Sequence, residues 1–100
     1  MKIEKTLNGN DMTLKLEGCL DTVTSPELKQ LLNETMGSIE TLTLDFQDLE
    51  YVSSAGLRVL LTAHTTMAKK GGMKILHVNE EIMDSMTVTG LAKVLNIVED

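Results

Sequence analysis

The sequence predicts an α/β fold in which helices pack against one mixed β-sheet, in the order β-β-α-β-α-β-α-β. Three observations carry that prediction. Met12, Leu14 and Leu16, and again Leu42, Leu44 and Phe46, alternate with polar residues, the period of two that marks a half-buried strand. Leu28, Leu31 and Leu32, and then Leu57, Leu60, Leu61, His64 and Ala68, recur at the spacing of a helical stripe. Strand and helix patterns then alternate along the chain, as they do where helical crossovers build a sheet.

Taken in order, Lys2 to Leu7 is a weak strand pattern, and Asn8-Gly9 separates it from the strand around Met12. Asn-Gly between two strand patterns is a hairpin signal, so the chain is expected to open with an antiparallel pair. Gly18 is expected to break the second strand, with residues 19–23 as a loop. A helix should start near Thr24-Ser25-Pro26-Glu27, where Thr24 and Glu27 have capping-box spacing and Pro26 suits a first turn. Leu28, Leu31, Leu32 and Met36 form its apolar stripe, and Gly37 is expected to end it in the left-handed conformation.

After the strand at 42–46, a second helix is expected to run to near Lys70. Lys69 and Lys70 suit the negative end of that helix, and Gly71-Gly72 should stop it. Residues 73–78 form a mostly apolar run of strand length, expected to be covered on both faces. A helical crossover leads to this run, so it should lie parallel to the strand at 42–46. Asn79 is placed to cap a short helix from Glu80 to near Thr87, with Ile82, Met83 and Met86 inward. Residues 89–95 read as a further helical turn or two, and 96–99 as a short last strand. No repeat, linker or low-complexity tract interrupts residues 1–100, which are expected to form one domain.

Composition narrows the function. With 2% aromatic residues, the core must be built from Leu, Val, Ile and Met. The 7 Met residues read as adaptable core filling or, in part, as a contact surface that repacks. Acidic residues outnumber basic ones 15 to 9, for a net charge of −6, and no basic stripe exists. Binding to nucleic acid or to an anionic membrane is therefore not expected. Neither a signal-peptide core nor an apolar run of membrane-spanning length occurs, so the cytoplasm is the expected compartment. Cys19 is the one cysteine, which excludes an internal disulfide and a multi-cysteine metal site. His64 and His77 lack ligand neighbours at metal spacing and read as structural, and no cofactor is expected.

The stretch with most chemistry is Tyr51-Val52-Ser53-Ser54-Ala55-Gly56-Leu57, between a strand pattern and a helix pattern. Its serines fall at a helix start, where a hydroxyl can cap free N–H groups. The same unpaired N–H groups and the helix dipole also suit a phosphate. A serine there is both a candidate cap and a candidate switch.

Gly18-x-Leu20-Asp21-x-x-Thr24-x-x-x-Leu28, Leu44-Asp45-Phe46 and Val52-Ser53-Ser54-Ala55-Gly56-Leu57 together resemble the STAS domain of bacterial anti-sigma factor antagonists. The order of elements agrees over essentially the whole chain, and with no membrane segment the chain looks like a free-standing member. The resemblance implies a binding module rather than an enzyme. In that family a serine or threonine at the start of the second helix is phosphorylated by the partner, an anti-sigma factor that is also a kinase. The unphosphorylated form binds that partner and releases a sigma factor; a cognate phosphatase is a further implied partner. Carried over by motif, the acceptor is Ser54, and Asp21 matches an acidic residue in the loop facing it. Many members have Asp immediately before the acceptor; here that position is Ser53, which becomes a rival acceptor. The implied partner surface is Asp21, Ser53, Ser54, Ala55, Gly56, Leu57 and Arg58.

Each of these residues also has a plainer reading. Ser54 could be the helix cap, and Asp21 an Asx-turn residue. Arg58, the only arginine, opposes the dipole in the first helical turn. It could pair with a phosphate on Ser54 or a partner carboxylate, or be a solvated arm balancing Asp48 or Glu50. Asp45 is expected to bind N–H groups of the serine loop, Gly56 to allow close packing, and Cys19 to be a small buried hydrophobe. Two other functions stay open: a constitutive STAS scaffold subunit of a larger complex without phosphorylation, and a small nucleotide-binding domain. The serine turn has one Gly and no Lys, which falls short of a P-loop.

Overall fold

A computed structural model describes residues 1–98. Its five strands are β1 (Lys2–Asn8), β2 (Asp11–Leu20), β3 (Thr41–Val52), β4 (Met73–Leu76) and β5 (Ile97–Val98). They lie in the sheet in sequence order, with β1 antiparallel to β2 and the other neighbours parallel. The helices are α1 (Ser25–Thr35), α2 (Ser54–Met67) and α3 (Glu80–Val88), with 3₁₀ turns at Met36–Ser38 and Leu91–Lys93. The expected element order, the opening antiparallel pair and the parallel β3–β4 pair are all present. Of the expected last strand, Glu99 lies outside the described residues.

Register explains the layering. Leu14, Leu44 and Ile75 stand side by side across β2, β3 and β4. Because strand side chains alternate between faces, Met12, Leu16, Leu42, Phe46 and Met73 share that face, and all are buried. Leu28 and Leu32 of α1, Leu57, Leu60, Ala63 and Met67 of α2, and Ile82 and Met86 of α3 join the same cluster. Each fully buried aliphatic side chain stabilises the fold by about 1.5–3 kcal/mol relative to exposure. On the opposite face Lys74 is exposed, and Thr43 and Asp45 only half-buried. The expectation that residues 73–78 are covered on both faces is therefore corrected. The strand stops at Leu76, and His77, with a left-handed φ of 58°, turns the chain out.

Element ends depart from the expectations wherever a tertiary contact sets them. Asn8 pairs with Asp11, so the hairpin turn is Gly9-Asn10, with Gly9 at φ 63°. Gly18, at φ 102°, makes a bulge rather than an end, and β2 continues to Leu20. Gly37 is not left-handed; it sits in the 3₁₀ turn that extends α1. Lys70 does not serve α2: its ammonium donates to the carbonyls of Met36 and, at 3.1 Å, Ile39, closing the end of α1. α2 ends at Met67, short of the expected Lys70; turns carry the chain on to Gly72, at φ 97°, whose N–H reaches Met67 O at 3.0 Å. Asn79 caps α3 as expected, Oδ1 accepting from the Ile82 N–H at 2.8 Å.

Candidate functional site

β2 and β3 end together, Leu20 opposite Val52. The segments that leave them, residues 21–24 and the serine turn, thus share one edge of the molecule. That edge lies at the C-terminal ends of parallel strands, where open α/β sheets bind their ligands.

In the first segment the expected Thr24–Glu27 capping box does not form, since Thr24 makes no side-chain cap. Its hydroxyl instead donates to Cys19 O at 2.7 Å and accepts from the Asp21 N–H at 2.9 Å. Asp21 organises the turn that precedes the helix. Its Oδ1 accepts from the N–H groups of Val23 at 2.9 Å and Thr24 at 3.0 Å, an Asx turn. The Thr24 N–H is the main reason the Asp21 carboxyl is held below the usual carboxylate range, with the Val23 N–H adding to it.

In the second segment the two serines divide their roles. Ser53 leaves the sheet in extended conformation (φ −84°, ψ 173°), and its Oγ accepts from the Gly56 N–H at 3.3 Å. Ser53, not Ser54, is the helix cap. Ser54 is the first residue of α2 and is exposed. The N–H groups of Ser54 and Ala55 fall in the first helical turn, where no intrahelical acceptor exists. Gly56 is buried as expected by close packing: a Cβ there would stand 2.8 Å from Leu20 Cγ and 2.9 Å from Leu20 O. Leu57, expected on a partner surface, is only 5% exposed and belongs to the core. Arg58 is exposed and makes no ion pair among the described residues; Asp48, one of its expected partners, pairs with Lys15 at 3.2 Å.

Ser54 and Ala55 face different grooves. Ala55 lines one of about 350 Å³ between α1 and α2, together with Thr22, Ser25, Lys29 and Arg58. Ser54 lines another, of about 450 Å³, with Tyr51, Glu81, Asp84 and Val88. Along this edge Val23 (84%), Val88 (87%) and Tyr51 (47%) are exposed. Sequence reading missed Val23, Tyr51, Val88 and both grooves; the only hint was that these side chains fall outside the strand and helix stripes.

Asp45 does not reach the serine loop. Its Oδ1 accepts from the Gln47 N–H at 3.0 Å and meets His77 Nδ1 at 2.8 Å. Burial works to raise its carboxyl, but the bonds from His77 and Gln47 prevail and hold it below the usual range. Among the described residues no three His, Cys, Asp or Glu side chains gather to hold a metal ion.

A small mixed sheet with helices on one face, and an exposed serine edge between open grooves, defines an α/β domain. Residues 3–99 match the family described as "Mlab, STAS domain". The chain belongs to the STAS domain family. It is 24% identical over 98 residues to the anti-sigma-B factor antagonist of Bacillus subtilis, covering 97% of this chain and 90% of that one. Its fold matches an anti-sigma factor antagonist from Mycobacterium paratuberculosis with TM-score 0.87 at 21% identity, over 99% of this chain and 86% of that one. It also matches the Bacillus cell-fate determinant SpoIIAA in its phosphorylated form, with TM-score 0.76 at 14% identity, over 99% and 93% of the two chains. No helix among the described residues is long and apolar enough to cross a membrane.

Proposed function

We propose that this protein is a cytoplasmic anti-sigma factor antagonist, a binding protein and not an enzyme, switched by phosphorylation of Ser54. Unmodified, it binds an anti-sigma factor that is also a serine kinase and so releases a sigma factor. Phosphorylation ends the binding, and a phosphatase restores it. The observation that carries this reading is the division between the serines: Ser53 caps α2, which leaves Ser54 exposed at its first position. The relatives named anti-sigma factor antagonists support the choice of partner.

The local physics suits a switch that does not refold the domain. A phosphate brings about −1.5 to −2 charge and three strong acceptor oxygens. The free N–H groups of Ser54 and Ala55 and the positive end of α2 can take that charge. Arg58 lies one helical turn on, within reach of a charge-assisted pair. On the other side the phosphate joins Glu81 and Asp84 in one groove, making an already acidic surface more so. The contact surface in this reading comprises Asp21, Ser53, Ser54, Ala55 and Arg58, with Tyr51, Val23 and Val88 as apolar contacts and Gly56 and Leu57 as its support.

The test is mass spectrometry after incubation with ATP and each anti-sigma-type kinase of the same cell, with Ser54→Ala and Ser53→Ala alongside. One phosphate, lost only in Ser54→Ala, is the expected result. Stable binding to such a kinase with no phosphate transferred would replace this reading with the constitutive scaffold.

A further inference from the structure

The groove between α1 and α2 has a chemistry that sets it apart from the rest of the surface. The chain carries 15 acidic residues, yet among the described residues none lines this groove, while two cations do. Lys29 comes from α1 and Arg58 from α2, and neither makes an ion pair among the described residues. Two other surface grooves are acidic: one is lined by Glu81 and Asp84, another by Glu17, Asp48 and Glu50.

A second, independent feature lies at the same end of the groove. Ser25 is only 4% exposed, and its hydroxyl has no hydrogen-bond partner among the described residues. A buried hydroxyl left unpaired carries a desolvation cost that a bound oxygen would remove. Both helices are crossovers between parallel strands, so their N-termini, the positive ends, lie at this end too. Leu32, Met36, Val59 and Ala63 supply an apolar stretch of the lining, flanked by Asn33 and Thr62. The volume, about 350 Å³, falls within the range of small-molecule sites.

We propose that this groove binds a small aliphatic carboxylate. The head group sits between Arg58 and Lys29, with the Ser25 hydroxyl turning to donate to it, and the alkyl chain lies along Leu32, Met36, Val59 and Ala63. The inference rests on the groove's own lining; Arg58 is shared with the proposed switch, so the unphosphorylated protein is the form to test.

The experiment is an amide NMR titration of the whole protein with sodium octanoate, octanol and sodium acetate in parallel. Octanoate is expected to saturate below about 10 mM, the range of a weak ligand. Its shifts should be confined to α1 and the first half of α2. Octanol and acetate, which each lack one half of the chemistry, should bind at least about tenfold more weakly, since a charge-assisted hydrogen bond and a buried alkyl chain each contribute at that level. Arg58→Gln should weaken octanoate by about tenfold. Ser25→Ala should also weaken it while leaving the thermal midpoint unchanged or raised, an outcome that a purely structural serine would not give. Equal binding of octanol and octanoate would overturn the assignment of the head-group site. No saturation, or shifts centred outside the two helices, would overturn the site itself.

Discussion

The division between Ser53 and Ser54 has measurable consequences for stability. Ser53→Ala removes a cap, which costs about 1 kcal/mol, and should lower the thermal midpoint by about 4–8 °C in a chain of this size. Ser54 is exposed and does not cap the helix, so Ser54→Ala should shift stability by less than about 0.5 kcal/mol. Thermal denaturation of the two variants separates these outcomes. A larger loss in Ser54→Ala than in Ser53→Ala would reverse the assigned roles. The acid side of the stability profile belongs to Asp21 and Asp45, whose carboxyls both titrate below the usual range in the folded protein. The folded state therefore favours their charged forms. Their stabilisation is complete above the unfolded value near pH 4 and is lost as pH falls through the lower folded values. Urea unfolding midpoints should stay level from neutral pH to about pH 5 and fall below about pH 4; in Asp45→Asn the fall should be shallower. The serine pair was legible in the sequence as a helix start. Which serine caps was not, because a shift of one residue in the helix boundary decides it, and the boundary follows from Ser53 N–H bonding to Leu20 O at 2.8 Å.

At the scale of elements, the first turn of α2 is held against the ends of β2 and β3 by the absence of a side chain at Gly56. Alanine is the better helix former, so propensity alone predicts that Gly56→Ala stabilises by up to about 1 kcal/mol. The packing predicts the opposite, because the new methyl would meet Leu20 O at 2.9 Å and Val52 Cγ1 at 3.0 Å. A loss of about 1–3 kcal/mol is expected, read as a lower urea midpoint with unchanged slope. Periodicity located β2, the first half of β3, α1 and α2, since burial of one face imposes it directly; β1, β4 and α3 were found from a turn, an apolar run and a cap. It did not locate their ends. Gly18 signals a left-handed residue without distinguishing a bulge from a stop, and only the pairing of Leu20 with Val52 makes it a bulge. Lys70 lies where a lysine suits its own helix, yet its ammonium serves α1, a contact between residues 31 and 34 positions apart that no local pattern contains. The polar residues Gln47, Asp48 and Glu50 hid the second half of β3, which exists because β2 offers it a partner.

For the whole molecule, the core lies on one face of the sheet and the serine edge at the ends of β2 and β3, so a charge added at Ser54 meets solvent and not the core. The overall fold was legible from alternation and crossover logic. The two grooves were not, because they arise from how α1, α2 and α3 sit beside one another and leave no trace in the spacing along any one of them. The central claim is that Ser54 phosphorylation ends partner binding by changing this surface. Calorimetric titration of the kinase partner with unmodified and Ser54-phosphorylated protein tests it most directly. The phosphate is expected to weaken binding by at least about a hundredfold, equivalent to about 2.7 kcal/mol. Equal affinity of the two forms would contradict it.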